Sequence, residues 1–409
     1  MKALVISQHA PPVPGRDVYG VYKRFGLFMG ALGRVAEEIE TLHFVPRALL
    51  EEHRDLDALS RVQSAHLGAN LRVGLAEVHR RQENSWNHYA TGISAIHRQP
   101  VFHHYGSDDQ VRAVAAALAR RPDLVFVHRL AAMVPLLRAG GTPARILFDL
   151  DDVEHRVVLR KALAPPRSAS RLAYLAHVPA ILAAERRAAA AAEATFVCSA
   201  TDRDYLLRRG LRGRIEVIPN AVAMPDAPQP LTAAPTLLFL GTYTYGPNRT
   251  AADRLVRGIW PRVHSAMPDA TLLIAGGGSE SLPGAASPPP GVTFTGFVPD
   301  LAALYARARV IACPLTVGGG TRVKLIEAAG YAKPMVSTRI GAEGLDFAPD
   351  REILLRDGDE AFAEACLRLF RDDALCQHLG TAARAKAETL YRLDRVQDRI
   401  AAIMAGKEA

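Results

Sequence analysis

Residues Gly318-Gly319-Gly320-Thr321-Arg322-Val323-Lys324-Leu325-Ile326-Glu327 bring three glycines, a hydroxyl, two cations and a carboxylate into one short stretch. The apolar run Val310-Ile311-Ala312-Cys313-Pro314-Leu315 leads into it. The spacing therefore predicts a strand, a glycine loop and a helix that begins at about Thr321, whose hydroxyl caps the first free amides. Such a junction presents unpaired N–H groups and the positive end of a helix dipole, and the missing side chains let a ligand reach the backbone. Arg322 and Lys324 then oppose the dipole at a cost of about 0.3–1 kcal/mol each unless something compensates. An anion at that point removes the penalty. The stretch reads as a diphosphate site made by Gly319, Gly320, Thr321, Arg322 and Lys324, with Glu327 about one helical turn further on. A glycine-rich turn with solvated basic side chains is the competing reading.

The elements that must hold this loop follow from the rest of the chain. Short apolar runs alternate with longer helical patterns, which predicts an α/β architecture with parallel sheets. The first half offers strand candidates at 2–7, 41–45, 124–128, 145–149, 194–198 and 215–218, and the rhythm restarts at 236–241, 271–275, 292–295, 310–314, 334–337 and 352–355. A chain of 409 residues exceeds one hydrophobic core, so two domains are expected. We place them at 1–222 and 235–391, joined by a proline-punctuated linker at 223–234, with the segment 392–409 packing back on the first. Residues 48–99 have no clean period and their strands cannot be placed.

Composition narrows the function class. With 49% hydrophobic and 22% charged residues the chain reads as globular, and no apolar run is long enough to span a bilayer. Its first strand is too brief for a signal-peptide core, so a cytoplasmic location is expected, with peripheral contact at the inner membrane face as an option. A net charge of +8 suits anionic substrates and would also favour an anionic membrane surface. The arginines are dispersed rather than blocked with aromatics, which argues against nucleic acid. Cys198, Cys313, Cys366 and Cys376 lack metal-ligand spacing and read as reduced and buried.

Gly318 to Glu327, followed by Ala332-Lys333-Pro334-Met335-Val336-Ser337-Thr338 and Gly341-Ala342-Glu343-Gly344-Leu345, resembles the donor-site signature of the group 1, or family 4, retaining glycosyltransferases of GT-B fold. Upstream, Val217-Ile218-Pro219-Asn220-Ala221-Val222, Gly241 with Pro247-Asn248, Leu272-Leu273-Ile274-Ala275-Gly276-Gly277-Gly278 and Val292-Thr293-Phe294-Thr295-Gly296-Phe297-Val298 are similar to the family's segments, in the family's order. The resemblance implies two Rossmann-like domains with parallel sheets facing an interdomain cleft, the first for an acceptor and the second for a nucleotide diphosphate sugar. It implies that Glu327 binds the ribose hydroxyls, that backbone around Gly296, Phe297 and Val298 meets the base, and that Gly241 and Asn248 belong to the first donor loop. Transfer with retention, by front-face displacement, would need neither a metal nor another cofactor. The acceptor is expected to be a glycan, a lipid-linked sugar or a small molecule. Two departures stand out: Gly319 occupies the place of a second, sugar-contacting glutamate, and Thr242-Tyr243-Thr244-Tyr245 replaces a basic pair.

In the first domain, His128 ends an apolar strand at the edge where α/β proteins bind ligands, and the family often has a histidine near the sugar there. Together with Arg322 and Lys324 it forms the expected catalytic set. Gly20 looks like the family's glycine that approaches the donor phosphates. Tyr19, Arg24, Asp151, Asp152 and His155 are acceptor-side candidates, although Asp151, Asp152 and Glu154 also fit a capped helix start. Lys23 is a weaker member of the same group. His103-His104-Tyr105 reads as a surface loop, and Tyr22, Phe25 and Phe28 suit either a lipid-linked acceptor or the core. A sugar-nucleotide epimerase of the same fold and a transfer-inactive nucleotide-binding scaffold are the alternatives. A dinucleotide oxidoreductase is disfavoured because the first strand lacks Gly-x-Gly-x-x-Gly.

Overall fold

The computed structural model describes residues 1–12, 20–77, 107–163, 168, 169, 172 and 174–407. It divides the chain into two compact units, Met1–Pro219 with Gln397–Ala409, and Asn220–Val396.

In the first unit β1 (Lys2–Ser7), β2 (Glu38–Val45), β3 (Leu71–Glu77), β4 (Leu124–His128), β5 (Arg145–Asp151), β6 (Ala194–Val197) and β7 (Arg214–Val217) form one parallel sheet in the order β3-β2-β1-β4-β5-β6-β7. Its central strands are continuous apolar runs, as a sheet covered by helices on both faces requires, and Leu4, Val125, Val127 and Phe148 are at most 1% exposed. β3 lies in the segment that had no readable period. It is an edge strand with Gly74 and Ala76 in its second half, too small to mark a buried face. Helix Gly20–Leu32 sends Phe25 and Phe28 into the core at 3% and 0% exposure, which settles them as packing residues rather than a lipid contact.

The end of the chain is part of this unit. Ile400 and Ile403 are buried, Arg34 pairs with Asp398, and the Arg145 guanidinium donates to the Met404 carbonyl at 2.8 Å.

In the second unit β8 (Thr236–Leu240), β9 (Thr271–Ala275), β10 (Val292–Gly296), β11 (Val310–Cys313), β12 (Met335–Ser337) and β13 (Leu354–Leu355) form a parallel sheet ordered β10-β9-β8-β11-β12-β13. In both sheets the order reverses beside the first strand of the unit, between β1 and β4 and between β8 and β11. At such a switch point the loops leaving adjacent strands part to opposite faces and open a crevice at the carboxyl ends.

Residues 223–234 correct the expected free linker. They form no regular element, yet Arg384 donates to the carbonyls of Pro225 (2.8 Å) and Asp226 (3.2 Å), Lys333 Nζ to Pro230 O (3.2 Å) and Arg309 Nη1 to Thr232 O (3.0 Å). The prolines leave carbonyls without ladder partners, and three buried cations take them up. The segment is thus a strap on the second unit, and the boundary falls before it, at Pro219. All four cysteines are buried, and none of them forms a disulfide. Among the described residues, no helix is long and apolar enough to cross a membrane.

Candidate functional site

The loops at the β8/β11 switch point converge on one basic corner. Gly241 directly follows β8, and a side chain there would strike the Asn248 amide at 2.9 Å and Lys324 Nζ at 3.2 Å. The next loop is equally close: a Cβ on Gly276, whose φ is +119°, would lie 2.0 Å from the Gly241 carbonyl oxygen. Gly276 N in turn donates to Gly296 O at 2.8 Å, and Gly296 N to Ser279 Oγ at 2.9 Å. Backbone from three neighbouring strand ends is therefore stacked side by side, which only glycine permits at these contacts. Phe297, next in line, is 48% exposed, and Val298 is half-buried.

Above this floor stand the two cations. Lys324 Nζ donates to Asn248 Oδ1 at 3.1 Å and lies 4.3 Å from the Phe239 ring centroid. It forms no ion pair among the described residues, and burial, with Arg322 adding to it, lowers its pKa to about 8. Arg322, 9% exposed, folds back so that Nη1 donates to the carbonyls of Gly319 and Gly320. Its Nη2 is buried and has no acceptor among the described residues, close to Gly318 and Tyr245: a Cβ on Gly318 would meet Nη2 at 2.9 Å and the Tyr245 hydroxyl at 3.4 Å. Among the described residues neither the guanidinium edge nor the ammonium has an ion-pair partner, Glu327 being the nearby carboxylate that acts on Lys324, and such a corner favours an anion.

The helix after the glycine loop runs Val323–Gly330, later than expected, with Arg322 at its N-cap and no side-chain cap. Thr321 does not cap it: it lies one residue before the N-cap, and its hydroxyl accepts a hydrogen bond from Asn220 Nδ2 at 2.8 Å. One turn into the helix, Glu327 is 8% exposed and receives a long contact from the Tyr305 hydroxyl at 3.5 Å; that hydroxyl also lies 3.3 Å from the Lys324 carbonyl.

The structure thus gathers Gly241, Asn248, Arg322 and Lys324 into one site with Gly319, Gly320 and Thr321. Gly296, Phe297 and Val298 lie along the same sheet edge. Phe239 and Tyr305 were missed by sequence reasoning. Phe239 had a signal, since residues two apart on a strand share a face and it precedes Gly241 by two; Tyr305 had none.

The first unit gives a different account of its candidates. Arg24 is 1% exposed and forks onto Asp149, with Nε–Oδ2 at 2.9 Å and Nη2–Oδ1 at 2.6 Å, while Nη1 donates to Ile218 O at 2.9 Å. This buried ion pair corrects the expected acceptor contact: the guanidinium ties β5 to the helix and to the end of the unit. Asp151, with φ +59°, pairs with Arg24 and Arg129 at 3.3 Å, and Asp152 pairs with Arg129 at 2.9 Å. Arg129, at φ +74°, went unnoticed in the sequence; it places its guanidinium across the ends of β4 and β5. Burial pushes the neighbouring Glu154 carboxyl up to about 7 against the pull of Arg129.

His155 is 2% exposed, with Nδ1 on Glu185 Oε2 and Nε2 3.0 Å from the Tyr205 hydroxyl. Both ring nitrogens are engaged, which corrects its acceptor role to a structural one. His128 does end β4, but its ring is wholly buried rather than open at the strand edge, with Nδ1 3.3 Å from Ser7 Oγ and Nε2 without a hydrogen-bond partner among the described residues. Burial holds its pKa well below the ordinary value, so the imidazole is neutral. Gly20 opens its helix in an exposed position. Tyr19 and His103 to Tyr105 lie outside the described residues.

Comparison with known proteins adds to this geometry. Residues 234–372 match the family described as glycosyl transferases group 1. No curated protein sequence matches the chain. Among solved structures, the sucrose-phosphate synthase of Thermosynechococcus elongatus aligns with a TM-score of 0.68 at 18% identity, covering 99% of this chain and 98% of that one. HepE of Anabaena, solved in complex with UDP and glucose, aligns at 0.63 and 13% identity over 99% of each chain. A TarM variant of S. aureus, in complex with fondaparinux, alpha-GlcNAc-glycerol and UDP, aligns at 0.67 and 10% identity over 99% of this chain and 100% of that one. Two parallel-sheet α/β units and these likenesses agree on the architecture: the chain has the GT-B fold, and its residues 234–372 match the glycosyl transferases group 1 family.

Proposed function

We propose that the chain transfers a hexose or related sugar from a nucleoside diphosphate donor to an acceptor hydroxyl, with retention and without a metal, in polysaccharide or glycoconjugate synthesis. The observation that carries the reading is a pair of cations with no ion-pair partner among the described residues, Arg322 folded onto the Gly319 and Gly320 carbonyls and Lys324 Nζ beside Gly241. A diphosphate there neutralises both charges. As the sugar–phosphate bond breaks, negative charge grows on the leaving diphosphate, and preorganised cations and amides stabilise it without reorganising. Glu327 accepts hydrogen bonds from the ribose diol, the Gly296 to Val298 backbone meets the base, and the acceptor, whether glycan, lipid-linked sugar or small molecule, belongs to the first unit. The UDP present in the HepE and TarM complexes supports a nucleotide donor for this chain.

The test is incubation with labelled uridine, guanosine, thymidine and adenosine diphosphate sugars, following free nucleotide and the anomeric configuration of the product. An inverted product would sink retention, and no turnover with any donor would sink transfer. Gly319, standing where an acid could hold the sugar, favours one second reading, a nucleotide-binding scaffold. Tight nucleoside diphosphate binding without turnover selects that reading.

A further inference from the structure

Thr321 closes the glycine loop, and what its hydroxyl does there is set by a residue 101 positions earlier. Asn220 Nδ2 donates to Thr321 Oγ1 at 2.8 Å, and the two residues are 7% and 9% exposed. A hydroxyl oxygen carries two lone pairs and one proton. The amide occupies a lone pair, and among the described residues the hydroxyl proton has no acceptor of its own, so the O–H remains a donor next to Gly320 and Arg322. The backbone just after Asn220 is anchored independently of the glycine loop. Two residues on, Val222 N donates to Tyr391 O and Leu393 N to Val222 O, both at 3.0 Å, which anchors the start of the second unit to the backbone before the last helix.

We propose that Asn220 is a positioning residue of the phosphate corner: by donating to Thr321 Oγ1 it aims that hydroxyl's own proton at the bound diphosphate. The proposal rests on the diphosphate reading above. An amide is needed for this, because only a donor fixes the direction of the hydroxyl. A carboxylate in its place would capture the Thr321 proton and add a negative charge beside the anion.

The experiment titrates the full chain with inorganic pyrophosphate, UDP and GDP by calorimetry, with a thermal melt of every variant. Asn220→Asp, which keeps the size of the side chain, is expected to weaken pyrophosphate binding about tenfold or more. Thr321→Val is expected to lose about tenfold, whereas Thr321→Ser, which retains the hydroxyl, binds like the parent. Asn220→Ala combined with Thr321→Val is no weaker than Thr321→Val alone, since both act through one hydrogen bond. A residue that merely stabilises the fold would lower the melting temperature of its variants without a matching loss of pyrophosphate affinity in the fraction that stays folded. If Asn220→Asp binds pyrophosphate as tightly as the parent while Arg322→Ala/Lys324→Ala loses it, the positioning role is refuted and the diphosphate reading stands. If the double cation variant also keeps full affinity, the reading itself fails.

Discussion

Replacing Lys324 with Met tests the electrostatics of the corner most directly. The half-buried Lys324 places its ammonium over the Phe239 ring and beside a second cation, and desolvation lowers its pKa from 10.5 to about 8. At pH 7 about nine-tenths of the unliganded molecules carry the charge, and at pH 9 about one-tenth do. A diphosphate selects the charged form, so its apparent affinity falls about tenfold between those values, a window in which its own last ionisation, near pH 6, is already complete. Stability has the opposite sign. A base with a lowered folded pKa binds fewer protons folded than unfolded, so the unliganded protein gains stability as pH rises from about 8 towards 10.5. At pH 7 the partly desolvated charge costs at most about 3.4 kcal/mol, from the fall of 10.5 to about 8 at 1.36 kcal/mol per pKa unit. Lys324→Met should therefore melt higher than the parent without ligand, bind nucleoside diphosphates about 10- to 100-fold more weakly at pH 7, and lose the pH dependence. Calorimetric titration of UDP and GDP from pH 7 to 9.5, with melts of both proteins, reads all three effects. Parent affinity that stays flat across that range would refute the idea that this ammonium meets the phosphates.

Three further outcomes follow from named contacts. Glu327→Gln is expected to bring ribonucleoside and 2′-deoxyribonucleoside diphosphate affinities to within about threefold of each other, because the diol partner is weakened; a parent that already fails to discriminate would exclude that role. Arg24→Met leaves Asp149 buried and unpaired and should cost about 3–5 kcal/mol in urea unfolding, whereas Arg24→Met with Asp149→Leu recovers much of it; equal losses in the single and double variants would contradict the account of the pair. Gly276→Ala combines a left-handed φ with a Cβ 2.0 Å from the Gly241 carbonyl, so a loss above about 3 kcal/mol and failure to bind nucleotide are expected; a stable variant that binds would mean the strand ends can separate.

The chain's own order of residues determined the parts of this protein that depend on neighbours. Apolar runs that become strands, such as Leu124–His128 and Thr271–Ala275, are set by side-chain period, and the glycines at 276 and 318–320 by backbone conformations and close approach. A cation at the start of a buried helix also announces its need for an anion locally. Tertiary structure alone decided the partners of charged and polar groups. Arg24 meets Asp149 across 125 positions, Asn220 meets Thr321 across 101, and the proline segment of 223–234 lies on its unit because Arg309, Lys333 and Arg384 reach its carbonyls. These pairings follow from which strands become neighbours, β4 beside β1 rather than β3. A periodic pattern says that a face is buried and cannot say against what; the long-range order of the sheet does.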